Sequence, residues 1–160
     1  MRIAVGSDSK TALTDHVVKY LEEQGHVLDL VGALKLGDER LWPYVGYTVA
    51  QKVVSSRCDT GIAFCWTGTG VCIAANKVRG VRAALCWDVE TTRGARLWND
   101  ANILVISLRY TSIPVAEEIL KVWLAPLLGE RDEEDRRGIA LMSQIETQAL
   151  GRNTGDSKAF

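Results

Sequence analysis

The feature that most constrains the fold is an alternation of short, largely apolar runs with stretches of helical periodicity. Ile3–Val5, Val27–Val31, Thr60–Cys65, Val81–Cys86 and Ile103–Ser107 read as strands. Leu13, Val17, Tyr20 and Leu21 mark a helix over Thr11–Glu23, closed by Gly25. Further helices are predicted over Tyr44–Val54, Val71–Lys77, Val89–Trp98, Ser112–Leu124 and Asp132–Leu150. Pro114 falls in an opening turn, where a missing N–H is tolerated. Gly32–Pro43, rich in breakers and charge, reads as a loop. Apolar strands alternating with helices imply a parallel sheet covered on both faces. The expectation is a three-layer α/β/α sandwich around a five-stranded, Rossmann-like parallel sheet. One domain is expected over residues 1–150, with a flexible polar tail over 151–160. Ligands of such sheets bind at the carboxyl ends of the strands. That rule sets Gly6–Lys10, Cys65–Gly70, Trp87–Asp88 and Leu108–Arg109 along one rim.

The formal net charge of −1 gives no reason to expect nucleic acid or an anionic membrane as partner. No apolar run reaches the length of a membrane span. Met1 leads directly into the strand-like Arg2–Val5, without a secretory leader, so a reducing, cytoplasmic setting and free thiols are expected for the four cysteines. Cys65 and Cys72 are seven apart with no histidine near them in sequence, which argues against a zinc site.

Cys65-Trp66-Thr67-Gly68-Thr69-Gly70 carries the most chemical information. A thiol ends a buried strand, and two glycines and two threonines lead into a helix. Glycines let backbone N–H groups turn toward one point, where an anion is stabilised. The residues alone leave several readings open. In one, Cys65 is a general base and the loop holds an enediolate oxygen. A phosphatase nucleophile is disfavoured, because Val71 stands where that chemistry wants arginine. A flavin or nucleotide loop would follow the first strand, where no glycine fingerprint stands. A thiol redox pair of Cys65 with Cys72, and a plain buried cysteine before a tight turn, also remain.

Gly61–Lys77, GIAFCWTGTGVCIAANK, resembles the type B ribose-5-phosphate isomerase and galactose-6-phosphate isomerase family. The likeness extends to Arg2–Asp8, Trp42-Pro43-Tyr44, Val78–Cys86, Asn99–Asn102 and the closing arginine-rich helix. It implies an aldose–ketose isomerase acting through a cis-enediolate, without metal or cofactor, on a sugar or sugar phosphate. Cys65 matches the proton-moving base. Thr67, Gly68, Thr69 and Gly70 match the loop that binds the enediolate. Asp8 matches an acid that hydrogen-bonds substrate. Asn99 matches a polar group arriving from a partner subunit, with the C-terminal helix packing on that partner. Arg109, and Arg136 or Arg137, match phosphate-binding positions. A homodimer, or a tetramer, is the implied assembly.

Two departures from the family pattern stand out. Ser9 and Trp98 occupy positions where the family carries histidines associated with phosphate contact and ring opening. His16 and His26 are expected at the surface, and Lys10 is an alternative cation at the first strand. The departures predict a substrate preference different from ribose 5-phosphate, such as an open-chain tetrose phosphate. The alternative is a homologue that binds sugar phosphate without turning it over.

Overall fold

The structure, a computed structural model, describes residues 1–127 and 129–153. Five strands alternate with helices: β1 (Arg2–Ser7), α1 (Ala12–Glu23), β2 (Val27–Gly32), α2 (Trp42–Val54), β3 (Thr60–Cys65), α3 (Thr69–Ala75), β4 (Ala83–Leu85), α4 (Val89–Leu97), β5 (Ile103–Ser107), α5 (Ile113–Leu124) and α6 (Glu133–Asn153). All pairings are parallel, in the order β2-β1-β3-β5-β4. The expected parallel sheet, covered on both faces, is therefore what forms.

The two faces of the sheet differ in bulk, because successive strand side chains point to opposite sides. Ile3, Val5, Ile62, Phe64, Leu104 and Ile106 form one core with Leu13, Val17 and Leu21 of α1 and Ile119 and Leu120 of α5. Each fully buried side chain of this kind contributes about 1.5–3 kcal/mol. The opposite face carries small residues in the two central strands. A Cβ at Gly6 would lie 2.6 Å from a Val49 methyl, and one at Gly61 would lie 2.7 Å from another. With Ala4 and Ala63 beside them, α2 lies almost directly on the strands.

Several boundaries move from the sequence-based expectation. The second helix begins at Trp42 rather than Tyr44, because Pro43 sits in its first turn, where no backbone N–H is required. The third begins at Thr69 rather than Val71 and stops at Ala75, so half of the expected loop is the first helical turn. Strand β4 shortens to three residues; at its start the Arg82 N–H bonds to the Asn102 side chain instead of the ladder. Helix α6 continues to Asn153, into the segment expected to be a flexible tail, and residues 154–160 of that tail lie outside the described residues.

A cleft of about 850 Å³ separates α6 from the body of the domain. Across it, the Gly80 N–H donates to Glu146 Oε1 at 2.8 Å. Leu141, Met142 and Ile145 on α6 are more than half exposed.

Candidate active site

Strand register assembles the carboxyl rim. Ser7 of β1 pairs with Phe64 of β3, and Cys65 of β3 pairs with Ser107 of β5. Asp8, Cys65 and Ser107 therefore end three adjacent strands. This is also where the chain reverses direction across the sheet, with β2 on one side of β1 and β3 on the other, the crevice that binds ligands in folds of this kind.

Cys65 is 5% exposed, with apolar packing behind it from the α2/α3 side of the sheet. Its carbonyl accepts the N–H of Gly68 at 3.2 Å and of Leu108 at 3.0 Å. The Trp66 carbonyl accepts the Arg109 N–H at 2.9 Å and the Ser107 hydroxyl at 3.0 Å. These bonds fold the loop after β3 tightly onto the end of β5. Gly68, the residue before α3, has φ +82°, and a Cβ there would sit 2.4 Å from Leu85 Cδ1. Only glycine meets both conditions. Gly70 is closely covered: the Trp42 ring lies on it, 3.0 Å from where a Cβ would stand. The Thr67 and Thr69 hydroxyls are 2.8 Å apart, bonded to each other at the mouth of the loop.

Asp8 presents a carboxylate oxygen, Oδ1, that is buried and has no hydrogen-bond partner. Burial pushes its carboxyl above the ordinary aspartate range, opposed by the Ser9 hydroxyl and by its own backbone N–H. The turn beneath it is fixed by buried Ser7, whose hydroxyl donates to the Ser9 carbonyl at 2.6 Å and accepts the Ser9 N–H at 3.2 Å. Ser9 itself is exposed on the rim. Lys10 lies 3.5 Å from Asp15, with both side chains more than half exposed. His16 is bonded to Glu117 at 2.7 Å and His26 lies by the N-terminal amine, and neither replaces the two histidines absent at positions 9 and 98.

Ser107 and Thr111 also belong to this rim, and residue patterns had not singled them out. Ser107 braces Trp66 and accepts the Tyr110 N–H at 3.3 Å, while Thr111 Oγ1 is buried without a partner. Their one sequence signal is a hydroxyl closing an apolar strand and another four residues on. All four cysteines are free thiols. Cys72 donates to the Ala83 carbonyl at 3.4 Å, and burial pushes its thiol up. Among the described residues, no group of three or more His, Cys, Asp or Glu is placed to hold a metal ion, and no helix is long and apolar enough to cross a membrane.

The remaining expected residues are not brought to this rim within one chain. Trp98 and Asn99 follow α4, which runs back from the carboxyl rim, so they lie at the amino end of the sheet. The length of β5 alone separates the two ends by ~13 Å. The Trp98 ring folds back onto Gly94, and both Trp98 and Asn99 line the cleft under α6. The corner that follows is rigid: Asp100, with φ 50°, takes Arg82 on one carboxylate oxygen and Arg131 on the other. Arg136 and Arg137 are exposed on α6, and Arg137 borders a groove on the outer side of that helix with Glu133 and Leu141.

The profile of the Ribose/Galactose Isomerase family matches residues 3–140. The chain belongs to this family. Among its relatives is the D-erythrulose-4-phosphate isomerase of Pectobacterium atrosepticum, 34% identical over 78% of this chain and 82% of the relative. Ribose-5-phosphate isomerase B of Escherichia coli is 32% identical over 89% and 97%. The Clostridium thermocellum ribose-5-phosphate isomerase B structure superposes with a TM-score of 0.82 at 34% identity, covering 93% of this chain and 99% of that one. A Mycoplasma genitalium ribose-5-phosphate isomerase B, solved with bound ribulose-5-phosphate, superposes with a TM-score of 0.77 at 28% identity, covering 92% and 96%. This member of the ribose/galactose isomerase family is thus an enzyme of the aldose–ketose isomerase class, and the sugar-phosphate chemistry of its relatives is the frame for its rim.

Proposed function

We propose that this isomerase interconverts a short, open-chain aldose phosphate and its ketose through a cis-enediolate, with Cys65 as the base. Cys65 removes the proton from the carbon beside the carbonyl and returns it to the neighbouring carbon. The electron pair of the broken C–H bond moves into the enediolate and leaves negative charge on the former carbonyl oxygen. Thr67 and the amides of Thr69 and Gly70 receive that oxygen, with Gly68 shaping the turn while its own N–H bonds to the Cys65 carbonyl. Asp8 moves the hydroxyl proton between the two substrate oxygens, the step for which an unpartnered carboxylate oxygen is suited. Arg109 takes the phosphate on the same rim. Asn99, Trp98 and either Arg136 or Arg137 come from a partner subunit in a cytoplasmic homodimer. Support for that assembly is the exposed apolar stripe of α6 and the distance of Asn99 from its own chain's sulfur.

The observation that carries this reading is the register that ends Asp8, Cys65 and Ser107 on three adjacent strands. The preference for a short chain rests on Ser9 and Trp98. A tetrose 4-phosphate has its O4 blocked and cannot close a five-membered ring, so it needs no histidine to open one. The Pectobacterium relative named for D-erythrulose 4-phosphate fits this choice.

Incubation in deuterium oxide with four- to six-carbon sugar phosphates, followed by NMR, tests the reading. Deuterium is expected at C1 or C2 of the tetrose phosphate, faster than in ribose 5-phosphate. Equal or faster exchange in ribose 5-phosphate overturns the altered preference. No exchange in any sugar overturns the Cys65 mechanism.

A further inference from the structure

We infer that Trp66 and Tyr110 are positioning residues that hold the Arg109 guanidinium as a preset anchor for the anionic end of the substrate. This deepens the proposed function and rests on it. The anchor is built by the backbone. In the turn just past the last ladder pair, Cys65 with Ser107, the Leu108 N–H bonds to the Cys65 carbonyl and the Arg109 N–H to the Trp66 carbonyl. Trp66 and Arg109 thereby become neighbours. Ser107 ties the Trp66 carbonyl to the Tyr110 N–H, which fixes the second aromatic residue relative to the first.

The guanidinium carbon of Arg109 lies 5.9 Å from the Trp66 ring centre and 5.4 Å from that of Tyr110. Both distances fall within cation–π range. Trp66 is 58% exposed and Tyr110 74% exposed, so neither ring is there to fill the core. Among the described residues, no carboxylate pairs with Arg109. An arginine held by its faces keeps its in-plane N–H donors for another group. Those donors form a fork that matches two oxygens of a phosphate or carboxylate. A free arginine loses side-chain freedom on gripping an anion, and one already held by two rings loses less. Trp66 adjoins Cys65 in the chain, so the anchor stands at a set span from the sulfur. A set span selects substrate length.

Calorimetric titration with inorganic phosphate, together with kinetics on a tetrose phosphate and on the same sugar without phosphate, tests the clamp. Arg109→Ala is expected to abolish phosphate binding. Trp66→Leu and Tyr110→Leu are each expected to weaken it by about 2- to 5-fold, and Trp66→Phe to retain most of it. In the Arg109→Ala background the ring substitutions should have no further effect. For the phosphorylated sugar the loss should fall on KM, with no matching loss for the unphosphorylated one. The inference is overturned if both ring variants bind phosphate like the wild type, or if they weaken the phosphorylated substrate equally with and without Arg109. Since Tyr110 is so exposed, Tyr110→Leu stays informative even if Trp66→Leu fails to fold. Phosphate binding is read without turnover, so a chain that isomerises nothing yet shows the Arg109 pattern sinks the isomerase reading and leaves the clamp standing.

Discussion

The two ends of the sheet are built on different principles. At the carboxyl end, side chains are left unsatisfied: Asp8 Oδ1 and Thr111 Oγ1 are buried without partners, and Arg109 lies beside two rings with no carboxylate paired to it among the described residues. At the amino end, several polar side chains are bonded to one another and to carbonyls. Arg131 bonds the carbonyls of Arg96 and Leu97 as well as Asp100, Arg96 bonds those of Val122 and Ala125, and Asn102 bonds Gly80 and Arg82. A buried polar group without a partner costs about 1–3 kcal/mol, so a fold keeps such groups where a ligand will complete them. The contrast separates a rim with unsatisfied polar groups from a corner whose polar groups are bonded to one another.

The largest effect expected from breaking this division is at the sulfur. Cys65→Ala should lower kcat by about 10²- to 10⁴-fold, or ~3–5 kcal/mol of barrier, with the circular dichroism spectrum intact. Turnover within a few-fold of wild type would remove Cys65 from the mechanism. The same variant can sharpen the role of the other end. If Asn99 serves the partner's sulfur, mixing Cys65→Ala with Asn99→Ala chains restores one whole site in each mixed dimer. Half of randomly re-paired dimers are mixed and each has one of two sites whole, so about a quarter of wild-type activity should return. No recovery after verified subunit exchange would place Asn99 outside the partner's site.

What the sequence made legible follows this same division. The alternation of apolar runs and helices was enough for the parallel sheet, and the abrupt stop of an apolar run at Cys65 was enough for the rim. The strand order was not legible, because β5 inserts between β3 and β4, against sequence order. That insertion alone puts Arg109 next to Trp66. The start of α3 was hidden because Thr69 and Gly70 are weak helix formers and match a loop equally well. Pro43 looked like a breaker, although it is the first turn of α2 that brings Trp42 onto Gly70. The neighbours of Arg109 and of Trp42 are set by contacts distant in sequence, which local patterns do not record.

A smaller effect, and one specific to the open rim, is expected from Gly68→Ala. A side chain there meets both a left-handed backbone and the Leu85 methyl at 2.4 Å. The cost should be about 2–4 kcal/mol, read as a lowered midpoint in urea. Gly138→Ala provides the contrast. It lies on α6 with open space around its Cβ position, and alanine there should leave the midpoint unchanged or raise it slightly. Equal losses at the two positions would mean that the loop after β3 yields easily and is no rigid cradle.

The smallest expected effect tests whether the unsatisfied rim is costly to stability. Because burial raises the Asp8 carboxyl, the folded chain holds that proton more firmly than the unfolded chain does. Asp8 therefore favours folding while it is protonated, below the ordinary aspartate value of about 3.9. The contribution is lost as pH rises through the elevated folded value, and above it the buried carboxylate weighs against the fold. Asp8→Asn should raise the thermal midpoint at neutral pH, and the gain should shrink as the buffer is taken down toward pH 4. Turnover should fall in the same variant, since an amide cannot carry the hydroxyl proton. A variant less stable than wild type at neutral pH, by an amount that ignores pH, would show that Asp8 is structural. The two ends of the sheet would then no longer differ in kind.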